Sequence, residues 1–204
     1  MPDEETKKVF LIRHAQSLQN VATAKFFING DFQALGQLFA LGYDAALSPA
    51  GTAQLEDAAK QLDAAGDKFA KDNGVQLVAH SPYQRAIMTA HALFPKWVGT
   101  EKMVEVPDMH ERTIPEYFFP QLMEARIRSV RSWLEGRPES VIALVGHGQF
   151  FKFCVGSPGV QPNVSIREAR YERGKGFVGS SGFVFDGYND PAERRREESP
   201  IADR

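Results

Sequence analysis

Short apolar runs alternate along this chain with longer stretches of helical periodicity. Val9-Phe10-Leu11-Ile12, Val75 to Ala79, Val141 to Val145 and Phe183-Val184-Phe185 each end in polar or glycine-containing turns. They are too short for helices and are expected as buried strands. Thr52 to Lys71 places Leu55, Ala58, Ala59, Leu62 and Ala65 at spacings of three and four, which makes one apolar stripe with charged residues opposite. Ser81 as N-cap and Pro82 at the first helical position open a second helix that runs to Leu93, with Pro95 past its end. Gln121 to Leu134 forms a third around Leu122, Ala125, Ile127, Val130 and Leu134, closed by Gly136 and Pro138. Strands alternating with helices of this length predict an α/β sandwich on a mostly parallel sheet, whose working residues collect at the carboxyl ends of the strands. With no internal repeat and no linker, residues 1–188 are expected as a single domain. Residues 189–204 mix charges and prolines without apolar periodicity and are expected as a mobile tail.

Composition changes this picture little. The 204 residues are 43% hydrophobic and 25% charged, ordinary for a globular protein. The net charge of −2 gives no global drive toward nucleic acid or anionic lipid, so neither is expected as a partner. Cys154 is the sole cysteine, which excludes an intrachain disulfide and any metal site of several thiolates. The charged start and the short apolar run after it match neither a leader nor a membrane span. A soluble, cytoplasmic protein is expected.

The chemistry lies at the strand ends. The first strand runs into Arg13-His14-Ala15-Gln16-Ser17, and the Val141 strand into Gly146-His147-Gly148-Gln149. The carboxyl edge of a parallel sheet would bring these distant histidines to one locus, and the glycines beside His147 leave room for backbone to approach a ligand. Arg13 adjoins His14, and Arg85 falls in the first turn of the helix after the second strand, where free N–H groups favour an anion. Arginine forks suit the paired oxygens of a phosphoryl group. The residues therefore point to a phosphate pocket that contains a nucleophile-capable imidazole.

Four ordered motifs resemble those of the histidine phosphatase superfamily, the fold of cofactor-dependent phosphoglycerate mutases. Leu11 to Asn20 is similar to the family's Arg-His-Gly motif with an Asn six residues past the His. Asp44 to Gln54 resembles its second element, Ser81 to Ala90 its Ser-x-x-x-Arg-Ala-x-x-Thr-Ala helix start, and Val145-Gly146-His147-Gly148 its last motif. The resemblance implies a three-layer α/β/α sandwich and a metal-independent, histidine acid phosphatase-type phosphomonoester hydrolase. His14 would be the nucleophile that becomes phosphohistidine. Arg13, Arg85 and His147 would surround the phosphoryl oxygens, with Asn20 and Gly148 as further phosphate contacts. Glu111, in Met109-His110-Glu111-Arg112, is the best match to the family's acid and base, with Glu105 and Glu116 close by.

His80 and His110 are ambiguous, and His91 is expected to be structural. No cofactor and no metal is expected, because His14 and His147 are already employed and no third ligand has suitable spacing. Ala15 replaces the family's glycine, which puts the loop geometry in question. Residues 21–43 form an insertion with Phe26, Phe27, Phe32 and Phe39, and Tyr117-Phe118-Phe119 follows Glu111. In this family such insertions overhang the pocket as a lid, whereas the bland alternative is core packing or a homodimer surface. The rival functions are a phosphoglycerate mutase, disfavoured by the short chain, and a non-catalytic phosphate-binding module. The substrate, expected to be a small phosphomonoester, is not identified.

Overall fold

The computed structural model describes residues 6–157 and 159–189; the expected mobile tail, apart from Asn189, lies outside them. One mixed sheet of six strands runs in the order β3-β2-β4-β1-β5-β6. Its strands are β1 (Thr6–Arg13), β2 (Leu77–His80), β3 (Met103–Glu105), β4 (Val141–Gly146), β5 (Ile166–Glu172) and β6 (Gly176–Phe185). The first four in spatial order are parallel, and β5 and β6 are added antiparallel. Eight helices accompany them among the described residues: α1 (Leu18–Asn29), α2 (Phe32–Leu41), α3 (Pro49–Gln61), α4 (Lys68–Asn73), α5 (Gln84–Leu93), α6 (Ile114–Phe118), α7 (Pro120–Glu135) and α8 (Gly148–Val155).

Alternation along the strands builds two cores. Val9, Leu11, Ile142 and Leu144 face Met123, Ile127, Val130 and Leu134 of α7 and Phe150 and Phe151 of α8. Phe10, Ile12, Ala143 and Val145 face the other way, onto Leu55 and Ala58 of α3 and Ala90 and Leu93 of α5. Both faces of the central strands are therefore covered, which is why they read as continuous apolar runs. The result is the expected three-layer α/β/α sandwich.

Several boundaries differ from the sequence reading, each for a local reason. The Thr52–Lys71 helix breaks after Gln61, because Asp63 and Asp67 adopt left-handed conformations around a 3-10 turn. The break shifts the stripe by one residue, so Ala64 rather than Ala65 is buried. The second helix starts at Gln84 rather than Pro82. Its first N–H is taken by Asp44 from a distant loop, with Gln84 N donating to Oδ1 at 2.6 Å. β3 and β5 are strands that no apolar run in the sequence marks. β5 (Ile166-Arg-Glu-Ala-Arg-Tyr-Glu172) carries charges on residues that are only partly covered and buries Ile166, Ala169 and Tyr171, so no apolar run announces it.

Register decides where the site forms. Arg13 pairs with Gly146, and His80 with Val145. His14 N then donates to Gly146 O at 2.9 Å, and Ser81 N to Val145 O at 3.0 Å. β1, β2 and β4 thus end in one row. The loop after His14 is pinned by the start of α3, where Ser48 N donates to Gln16 O at 3.0 Å. A Cβ on Gly51 would lie 2.0 Å from that same carbonyl oxygen, so a side chain there must push α3 off the loop. Gly51→Ala is expected to destabilise the fold by about 1–3 kcal/mol, seen as a lower urea midpoint; an unchanged midpoint would contradict this close approach.

Candidate active site

His14 follows the last residue of β1 and is 1% exposed. Its Nδ1 lies 2.6 Å from the carbonyl oxygen of Ala15. A carbonyl can only accept, so Nδ1 carries the proton and Nε2 the lone pair. Arg85 Nε donates to that Nε2 at 3.3 Å. Burial, then the Arg85 and Arg13 guanidiniums, hold the His14 pKa well below its ordinary 6.5. The ring is therefore neutral at neutral pH, with its basic nitrogen facing a cation.

Ala15 sits comfortably. It is not among the residues with positive φ, its methyl group is buried in the α3/α5 core, and its N–H donates to Thr89 Oγ1 at 3.1 Å. The family's glycine is not required here for backbone freedom. Behind β1, the loop before β5 grips the same residues. Asn163 Nδ2 donates to His14 O at 3.0 Å, Gln161 Nε2 to Leu11 O at 3.1 Å, and Arg13 Nη1 to Gln161 O at 2.8 Å. Val164 in this loop holds a φ of 58°, a strained value for a β-branched residue.

His147 caps β4, is fully buried, and sets its ring 5.0 Å from that of His14. Its Nε2 lies 2.7 Å from Ser81 Oγ, while its Nδ1 is buried without a hydrogen-bond partner among the described residues. Burial, then Arg85, His14 and Arg13, push its pKa well below 6.5. Ser81, expected as a helix cap, orients this histidine instead. Tyr83 covers the pair, with its ring 5.3 Å from His147, 6.0 Å from His110 and 4.9 Å from the Arg85 guanidinium carbon. Arg85 is itself buried, and its Nη1 donates to Tyr43 O at 2.8 Å. Gly148 opens α8 beneath Arg13, where a Cβ would meet Val160 at 2.2 Å and Arg13 Nε at 3.0 Å.

Glu111 reaches this locus: ligating atoms of His14, Glu111 and His147 all lie within 4.8 Å of one another. Glu116 does not join it. Its carboxylate is locked onto Arg126 and Thr113; burial would raise its pKa, but the hydrogen bonds from Arg126 and Thr113 hold it below the usual carboxylate range. Glu105 is exposed at the end of β3. Asn20 spends its Oδ1 on the α1 capping box, taking Ser17 N at 3.0 Å and Ser17 Oγ at 2.8 Å. His110 sets its ring beside that of Tyr83, whereas His80 pairs with His91 at 6.4 Å. Residues 21–43 form the α1/α2 helical pair with Phe26 against Phe32, and Tyr43 ties its end to Arg85.

Three groups able to ligate an ion thus meet at this locus, the third without any spacing in the sequence to mark it. Glu111 is distant in sequence and becomes the third donor only through the fold. Two histidines and a glutamate are a ligand set that zinc accepts. The fixed guanidiniums of Arg13 and Arg85 beside them nevertheless make the locus suited to an anion.

The sequence matches no protein-family model and no curated protein. Solved structures do match by fold. A phosphoserine phosphatase from Entamoeba histolytica, solved with 3-phosphoglyceric acid, aligns with a TM-score of 0.54 at 16% identity, over 90% of this chain and 98% of that one. A phosphoglycerate mutase from Bacillus anthracis gives 0.54 at 15% identity, over 96% and 98%. A putative alpha-ribazole-5'-P phosphatase from Escherichia coli gives 0.55 at 14% identity, over 89% and 96%.

The two buried neutral imidazoles tie stability to pH. An unfolded histidine takes up a proton near 6.5 while the folded one refuses it. The unfolded state thus binds more protons as pH falls, and stability present above pH 6.5 is lost below it. The slope should approach about 1.4 kcal/mol per pH unit for each ring. Denaturant unfolding from pH 7 to 5 should show this loss, reduced in His14→Asn; identical slopes in the two proteins would contradict a buried neutral His14. The layered sheet, its strand order and the structures that align over nearly its whole length give this chain the fold shared by these two phosphatases and the phosphoglycerate mutase.

Proposed function

We propose that the protein hydrolyses phosphomonoesters through a phosphohistidine on His14. The observation that carries this reading is the His14 tautomer: a neutral ring with Nδ1–H committed to Ala15 O and a lone pair on Nε2 beside Arg85. In this mechanism the Nε2 lone pair attacks phosphorus, and the phosphorus–oxygen bond to the leaving group breaks. The leaving oxygen takes its proton from the Glu111 carboxylic acid. Glu111, now a carboxylate, deprotonates a water that attacks the phosphohistidine, and the phosphorus–nitrogen bond breaks with its electrons returning to Nε2. Nδ1 keeps its proton throughout, and the Ala15 carbonyl that accepts it as a hydrogen bond stabilises the charge that phosphorylation places on the ring.

Arg13 and Arg85, with His147, Asn20 and the Gly148 backbone, are assigned to the phosphoryl oxygens. Their two guanidinium charges match the dianion of a phosphomonoester. A binding module would need these arginines but neither the poised nucleophile nor the nearby acid. We assign no metal to the reaction and propose an acid-phosphatase type, supported by a His14 pKa that burial, Arg85 and Arg13 depress.

Chain length does not separate phosphatase from mutase, since the Bacillus anthracis mutase is covered over 98% of its length. The segment after Glu111 favours hydrolysis of esters with an apolar part. Ile114, Tyr117, Phe118 and Phe119 are all exposed, Phe118 to 75%. Arg112 is stacked between Tyr117 and Phe153 and bound to Glu116 O rather than extended toward a substrate carboxylate.

The purified protein should release phosphate from an aryl phosphate, insensitive to chelator, and His14→Ala should lower turnover at least about 10³-fold. Brief exposure to labelled substrate should leave an acid-labile, base-stable label on His14. Unchanged turnover in the variant would overturn the mechanism, and phosphoglycerate isomerised faster than it is hydrolysed would reassign the protein as a mutase.

A further inference from the structure

One arginine of α7 reaches back under the segment that carries Glu111. Arg126 is buried. Its Nη1 donates to the carbonyl oxygens of Asp108 at 2.9 Å and His110 at 2.7 Å. Its Nε and Nη2 donate to the two carboxylate oxygens of Glu116 at 2.6 and 2.8 Å, and Nη2 also faces Met123 Sδ at 3.2 Å. Glu116 continues the clamp: Oε2 accepts from Thr113 N at 2.7 Å, and its backbone oxygen from Arg112 Nη2 at 3.1 Å. The guanidinium also lies over the Phe150 ring, 5.1 Å from its centroid, on the helix that His147 opens.

We propose that Arg126 is the positioning residue for the Glu111 carboxyl group, acting through the backbone on both sides of it. Residues 108, 110, 112, 113 and 116 all hang, directly or through Glu116, from one planar group. Glu111 stays outside the clamp, its Oε1 held by the backbone N–H of Arg112 at 2.9 Å. The Arg126 charge is matched by Glu116, so the guanidinium sets the path of the loop rather than serving as counter-ion to the acid. A lysine cannot replace the fork, because an ammonium does not present paired, coplanar donors to a carboxylate and two carbonyls at once. A proton donor must come within hydrogen-bond reach of the leaving oxygen, and a shift of about 1 Å is enough to cost about 10²-fold in rate.

This inference rests on the assignment of Glu111 as the acid, and the experiment separates the two. A nitrophenolate departs without a proton, whereas an alkoxide needs one. Single-turnover phosphorylation of His14 is therefore measured with 4-nitrophenyl phosphate and with a simple alkyl phosphate, for the native protein, Glu111→Gln, Arg126→Lys and Glu116→Gln. Arg126→Lys should lose about 10- to 100-fold with the alkyl ester and no more than about threefold with the nitrophenyl ester. Glu116→Gln keeps the side-chain shape while releasing the charge that holds the fork, and should lose in the same sense, giving a second reading if Arg126→Lys does not fold. Equal losses on both esters in Arg126→Lys and Glu116→Gln, beside a selective loss in Glu111→Gln, would make the clamp merely structural and overturn the proposal. No selectivity in Glu111→Gln would overturn the acid assignment itself.

Discussion

His14 Nδ1–H donates a hydrogen bond to the carbonyl oxygen of Ala15, at 2.6 Å, in a nearly fully buried position. That bond determines which nitrogen holds the lone pair, and burial together with Arg85 and Arg13 keeps the ring from taking a second proton. An imidazolium there would be a third cation beside the two guanidiniums that already disfavour it. The neutral ring can accept Arg85 Nε instead. Buried cations favour an anion beside them, which under the proposed function would be the phosphoryl group.

The rest of the fold serves to hold this arrangement. β1 and β4 pair through Arg13 and Gly146, so the two histidines leave the sheet side by side. Antiparallel β5 adds the loop of Gln161 and Asn163, which takes hold of β1 from the other edge. The strained Val164 conformation shows that this loop is pressed into place by its surroundings, with Asn163 and Val164 both buried behind His14. α3 closes the opposite side through Ser48 and Gly51 against Gln16. The backbone from His14 to Gln16 is thus fixed by groups from β4, α3, α5 and the loop before β5.

What was legible from sequence follows how locally each feature is written. His14, Arg13, Arg85 and His147 each stand beside a strand or helix signal, and parallel-sheet logic places strand ends together, so their convergence could be anticipated. Ser81, Thr89, Gln161 and Asn163 act across long sequence separations with no local mark beyond common polar residue types. Glu111 was separable from Glu116 only once Arg126, on another helix, was seen to occupy the latter. β5 escaped because its partly covered charges hide the buried Ile166, Ala169 and Tyr171. The break in the Thr52–Lys71 stripe escaped because aspartates at left-handed positions look like ordinary helix-surface charges until the backbone is known.

The claim beneath the whole account is that His14 is neutral, protonated on Nδ1, and nucleophilic at Nε2. Long-range nitrogen–proton correlation spectra of the imidazoles report this directly, with His14 assigned by comparison with His14→Asn. The account predicts a neutral Nδ1–H tautomer for His14 at pH 7 that persists well below pH 6.5. An Nε2–H tautomer, or an imidazolium at neutral pH, would contradict it.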